Sequence, residues 1–143
     1  MAMTQDGRLL AIHTPLGKDF LLLQQFSVSE GLSKLFNIQV ELLHEESEAS
    51  YVQTVVAPNT IIGKGVTIKI LQNDGTTREF CGIVNRFSQG IRNSRFSQYH
   101  ASIVPYIWIL TQKFQSRIFQ NISVPDILGK FLPGLKFVIK FKA

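Results

Sequence analysis

The chain has 143 residues, 45% of them hydrophobic and 11 of them Phe, with a formal net charge of +5. That length and apolar content fit one domain and favour a folded chain over a disordered one, and a single cysteine, Cys81, excludes an intrachain disulfide framework. No apolar run approaches the ~18 residues of a membrane helix. The opening MAMTQDGRLLAIHTP also lacks the basic start and apolar stretch of a secretory signal, so a soluble cytosolic product is expected.

Period-2 patterning dominates and predicts strands. In FLLLQQFSV (20–28), Phe20, Leu22, Phe26 and Val28 share one face, interrupted at Gln24. EGLSKLF (30–36) reads as a helical turn or two. In NIQVELL (37–43), Ile38, Val40 and Leu42 face inward, with Gln39 and Glu41 outward. The acidic cluster HEESE (44–48) reads as a solvated loop.

GVTIKIL puts Val66, Ile68 and Ile70 on one face, and QNDGTT supplies a turn with Asn73, Asp74 and Gly75. TREFCGIVNRF returns from it, so 65–88 reads as a hairpin. Gly82 predicts a bulge or bend in the returning strand, the kind of corner a small barrel needs. Cys81 reads as a small buried hydrophobe. After a polar loop around Gly90–Ser94, FSQYHASIV (96–104) alternates Tyr99, Ala101 and Ile103 against Gln98, His100 and Ser102.

Short strands at these spacings indicate an all-β barrel or sandwich. SVPDILGKFLPG carries helix signals: Ser123 as cap, Pro125 in the first turn, Asp126 at the positive end, and Pro133-Gly134 as a stop. LKFVIKFK (135–142) predicts an amphipathic strand with a mostly basic outer face.

No motif points to catalysis or to a bound cofactor or metal. His13, His44 and His100 are scattered without ligand spacing, and no GxSxG elbow is present. Glu45, Glu46 and Glu48 offer carboxylates, but in a polar loop. Gly63-Lys64-Gly65 lacks the phosphate-loop frame and leads into a strand. Two features bear on binding. Residues 1–57 hold three Lys/Arg against seven Asp/Glu, whereas residues 58–143 hold twelve against three, a polarity able to steer an oppositely charged partner. RFSQGIRNSRFSQYH (86–100) interleaves Arg86, Arg92 and Arg95 with Phe87, Phe96 and Tyr99, the residue types that contact phosphates and stack on bases. Strand alternation would bury several of those rings.

Four segments in order carry a family resemblance. PLGKDFLLLQQFSVSEGLSKLFNIQVELL contains an E-x-L-S-x-x-F pattern at Glu30, Leu32, Ser33 and Phe36 between two strands. IIGKGVTIKI and REFCGIVNRFSQG follow, and then PYIWILTQKFQSRIFQNISVPDIL, the most specific of the four. The set resembles the N-terminal hub domain of the valine–glycine repeat protein G (VgrG) family, which forms the spike of bacterial type VI secretion systems and is similar to phage tail baseplate hubs.

The resemblance implies a mainly β fold: a small closed or partly open antiparallel barrel with one or two short helices. It implies a structural, non-catalytic part with no cofactor, metal or nucleic acid. In that context the partners are two further copies in a homotrimer, a hexameric tube protein, baseplate components and effectors. The protein would be cytoplasmic before firing and secreted through the apparatus without a signal peptide, meeting a target membrane only through the assembled spike. Residues 1–143 are expected to hold a single domain, the first barrel and adjoining helix. The second barrel, the oligosaccharide-binding-like domain and the needle would be absent, as in a fragment or truncated form. The residues alone leave a second reading open: a small basic barrel binding an acidic ligand such as nucleic acid through 86–100 and 136–142.

Overall fold

The structure, a computed structural model, describes residues 3–46 and 55–132. The chain divides into two compact units, Met1–Pro105 and Tyr106–Ala143. The expected strand at 135–142 and the Pro133-Gly134 stop lie outside the described residues.

The first unit is one curled antiparallel sheet of six strands: β1 (Leu10–His13), β2 (Leu22–Gly31), β3 (Lys34–Glu45), β4 (Gly65–Leu71), β5 (Thr77–Arg92) and β6 (Phe96–Val104). Their order across the sheet is β1-β4-β5-β6-β3-β2, all pairs antiparallel. This is the partly open barrel that the alternating pattern and the resemblance imply. The faces of β3, β4 and β6 follow the sequence: Ile38, Val40, Leu42, Val66, Ile68, Tyr99, Ala101 and Ile103 are buried in one cluster. Each large apolar side chain fully buried there contributes about 1.5–3 kcal/mol.

Four expectations are corrected. The segment 30–36 is not helical: β2 and β3 run through it and turn at Leu32-Ser33, with Gly31 paired to Lys34 and Ser33 at φ 57°. Leu32, Leu35 and Phe36 mimic helical spacing. Ladder bonds from both flanks and the left-handed Ser33 make it a hairpin instead.

In β2 the pairing slips between Leu23 and Gln25, so Gln24 is an extra residue. The slip puts Leu21 and Leu23 before it, and Phe26 and Val28 after it, on the core side. Leu22 is buried but stands outside that cluster.

In β5 the pairing with β6 slips between Val84 and Arg86 and again between Gln89 and Arg92, not at Gly82. The extra residue Asn85 reverses the alternation, so Arg86 is exposed and Phe87 is buried. β5 pairs with β4 along 77–83 and with β6 along 83–92, so this corner carries the sheet from one neighbour to the next. Gly82 serves close approach: a Cβ there would stand 2.5 Å from the Val104 carbonyl oxygen and 2.9 Å from Ile103 Cγ2. Cys81, between two inward residues, is exposed beside Thr67 rather than buried.

β1 is the one strand the sequence pattern did not mark. Its four residues pair with Thr67–Ile70 of β4. β1 and β2 are the two edges of the curled sheet, and the side-chain amide of Gln5 spans the seam between them.

The second unit holds a 3-10 helix over Tyr106–Gln112 and the helix α1 (Val124–Phe131). α1 starts as its sequence specifies: Ser123 Oγ accepts the Asp126 N–H at 3.4 Å, with Pro125 in the first turn.

Candidate assembly surface

The residues with chemical potential are dispersed or already engaged. His44 Nδ1 lies 2.8 Å from the Phe20 carbonyl oxygen and its ring 4.4 Å from the Phe20 ring, a packed position rather than a ligand. His13 sits in β1 and His100 in β6. Among the described residues, no three His, Cys, Asp or Glu side chains gather as a metal set. Gly63 is left-handed at φ 75°, and its N–H donates to the Val84 carbonyl at 2.7 Å. The amide that a phosphate would need there belongs to the sheet.

The acidic cluster and the basic-aromatic stretch meet within the chain. Arg92 Nη2 donates to Glu46 Oε1 at 2.6 Å, and Ser97 Oγ donates to the same oxygen. Arg95 Nη2 donates to Glu45 Oε1 at 3.3 Å, while the Glu46 N–H donates to the Arg95 carbonyl at 2.8 Å. Glu45 and Glu46 are therefore not a solvated loop; Glu48 lies outside the described residues.

The rings of the stretch divide. Phe87 and Tyr99 are buried and stacked, centroids 5.2 Å apart at 14°, inside the barrel. Only Phe96 is half-open, beneath the Arg95 guanidinium at 5.1 Å. A row of stacking faces beside unpaired cations is not formed.

The second unit is mostly open. Neither of its helices buries a residue. Phe119 and Phe131 meet edge-on at 5.5 Å and Arg117 covers the Phe131 ring at 5.3 Å. Around this small contact Phe114 is 99% and Ile118 89% exposed, with Ile107, Ile109, Leu110 and Val124 also open. Contiguous exposed apolar surface marks a contact site, and these side chains are the candidates that this unit offers for one. Sequence patterning did not single it out, because Lys113 and Arg117 interrupt the apolar residues and imitate an ordinary amphipathic stretch. Among the described residues, no helix is long and apolar enough to cross a membrane.

A family model described as the phage tail baseplate hub (GPD) matches residues 29–142. The chain belongs to that family. It is 34% identical over 137 residues to the type VI secretion system spike protein VgrG1b of Pseudomonas aeruginosa, covering 96% of this chain and 18% of that protein. To VgrG1a of the same organism it is 35% identical over 133 residues, 93% of this chain and 20% of the relative. The chain thus spans about a fifth of the length of these spike proteins. Among solved structures, the E. coli c3393 protein superposes with a TM-score of 0.60 at 20% identity, over 83% of this chain and 33% of that one. It is described as a component of the type VI secretion system with structural similarity to the T4 bacteriophage tail proteins gp27 and gp5. The hub family and the VgrG relatives agree with the sequence resemblance, and the c3393 match shows the fold.

Proposed function

We propose that this chain is the first barrel of a trimeric hub in a type VI secretion spike, a structural and non-catalytic part that joins spike and tube. One contrast carries the reading. The barrel satisfies its own core and pairs its Glu46–Arg92 and Glu45–Arg95 charges. The stretch 106–132 buries no residue of either helix and leaves Phe114, Ile118 and Val124 in water, whereas the exposed apolar residues of the barrel, such as Leu32 and Ile91, accompany a large buried core.

Such a part works by docking rather than by chemistry. Burying those side chains against neighbouring copies and the tube ring supplies the adhesion, at roughly 25 cal/mol per Å² of apolar surface removed from water. Three copies around an axis, each contributing two barrels in the complete hub, would offer a pseudo-sixfold face to a hexameric tube. Baseplate components and effectors are the further partners, and the protein would leave the cytoplasm through the apparatus itself. The acidic-ligand reading has less support, since Phe87 and Tyr99 are core residues and Arg92 and Arg95 face carboxylates of the same chain.

The test is retention of a purified hexameric tube protein from the same secretion system on the immobilised full chain. Retention that survives rising salt is expected of an apolar contact. Failure of the folded chain to retain the ring, or retention lost steeply with salt, would contradict the proposal.

A further inference from the structure

Gln5 is 8% exposed, and its primary amide lies between the two edge strands. Oε1 accepts the Ile12 N–H at 2.8 Å and the Leu23 N–H at 3.2 Å. Nε2 donates to the carbonyls of Ile12 at 3.1 Å and Leu21 at 3.3 Å. Both amide hydrogens and both lone pairs of the oxygen are thereby used, the full capacity of the group.

The pattern is that of a strand. Ile12 exchanges N–H and C=O with one partner, as in a hydrogen-bonded antiparallel pair. Leu21 C=O and Leu23 N–H flank a single residue, as in a parallel ladder. One glutamine side chain thus stands in for the peptide groups of a missing strand, and the sheet closes without one.

The residues around Gln5 are held by Asp19 and by Glu45 at the end of β3. Asp19, left-handed at φ 57°, accepts the Gln5 N–H at 3.0 Å and the Thr4 hydroxyl at 2.8 Å, with a longer contact from Gln5 Nε2 at 3.4 Å. Glu45 Oε2 accepts the Met3 N–H at 2.7 Å, while its Oε1 takes Arg95. Asp6 pairs with Lys18 at 2.7 Å in water.

We infer that residues 3–6 are a strap that closes the barrel seam through Gln5 and opens as a unit, with Glu45 at the end of β3 as its latch. Withdrawal of Gln5 removes all four seam bonds together. The β1–β4 and β2–β3 ladders are untouched, and water reaches the uncovered edges. Opening the seam therefore requires less free energy than unfolding the sheet. Glu45 couples the seam to the Arg95 side of the barrel, because one carboxylate holds both the strap and that arginine.

Residue-resolved amide exchange of the full chain tests this. The Ile12 and Leu23 amides, bonded to Gln5, should exchange with one shared opening free energy. Their exchange should be on the order of tenfold or more faster than at Val40 and Ile68, which lie in strands paired on both sides. Glu45→Ala should speed Ile12 and Leu23 together and leave Val40 and Ile68 unchanged. Gln5→Met, which keeps the length and removes the amide, should abolish their protection. Exchange at Ile12 and Leu23 only with global unfolding, unequal opening of the two, or no response to Glu45→Ala would each overturn the inference. Should Gln5→Met fail to fold, the wild-type and Glu45→Ala measurements still decide.

Discussion

The Glu46 carboxylate receives the Arg92 guanidinium at 2.6 Å with both side chains largely withdrawn from water, 12% and 22% exposed. The pair joins the end of β3 to the end of β5, and Ser97 of β6 donates to the same oxygen. Arg92→Ala would leave that carboxylate short of a charged donor. It should lower the unfolding free energy by about 2 kcal/mol in a urea titration. Lys18→Ala, which breaks a pair 66% and 69% exposed, should change it far less. Equal effects would mean that the two pairs do not differ in burial as described.

Gly82 is required by what lies opposite it. A methyl group there would press on the Val104 carbonyl oxygen at 2.5 Å, a backbone atom that cannot rotate away. Gly82→Ala should therefore destabilise the barrel by about 1–3 kcal/mol. Gly75→Ala strains only a left-handed turn residue with open space around it, so its penalty should come from φ alone. Thermal melts give the two penalties and NMR spectra separate their causes: only Gly82→Ala should also shift the amide resonances of Ile103 and Val104.

Acid should loosen the same parts that hydrogen bonds hold. Asp19 lies below its ordinary value of 3.8, first because of the Gln5 N–H and then the Thr4 hydroxyl. Glu45 lies below its ordinary 4.5, chiefly through the Met3 N–H and then Arg95. Asp74 is lowered by the Thr76 hydroxyl and N–H in the β4–β5 turn. Each carboxylate binds protons less readily folded than unfolded. Its stabilisation is therefore complete above the unfolded value and is lost as pH falls through the folded one. Melting temperature should decline as pH drops below 4.5 and on through 3.8, and Asp19→Asn should flatten part of that slope. A slope of the opposite sign over that window would contradict the hydrogen-bond assignments.

How much of this was legible in the sequence depends on whether local pattern and tertiary placement agree. β3, β4 and β6 alternate cleanly, and their inward residues were evident. The α1 cap was readable because Ser123, Pro125 and Asp126 act within one turn. The pattern misled where one extra residue changes parity: Gln24 and Asn85 each reverse the face of the residues that follow, as far as the next register shift, and no composition signal marks a bulge. The 30–36 turn imitated a helix because Leu32, Leu35 and Phe36 fall at helical spacing. Gln5 could not be found at all, since a glutamine that replaces a strand looks like any polar residue. Nor could Phe114 and Ile118, whose exposure is a fact of packing rather than of order along the chain.

The central claim is that the chain is an assembly part whose contact surface is the open apolar stretch 106–132. Its most direct test is the solution mass by light scattering on a sizing column, with concentration varied. Phe114→Ser/Ile118→Ser is run alongside the unaltered chain. The account predicts a mass that rises toward three times 16.1 kDa with concentration, and a doubly substituted chain that stays at 16.1 kDa. A mass of 16.1 kDa for both at every concentration, or identical self-association of both, would contradict it.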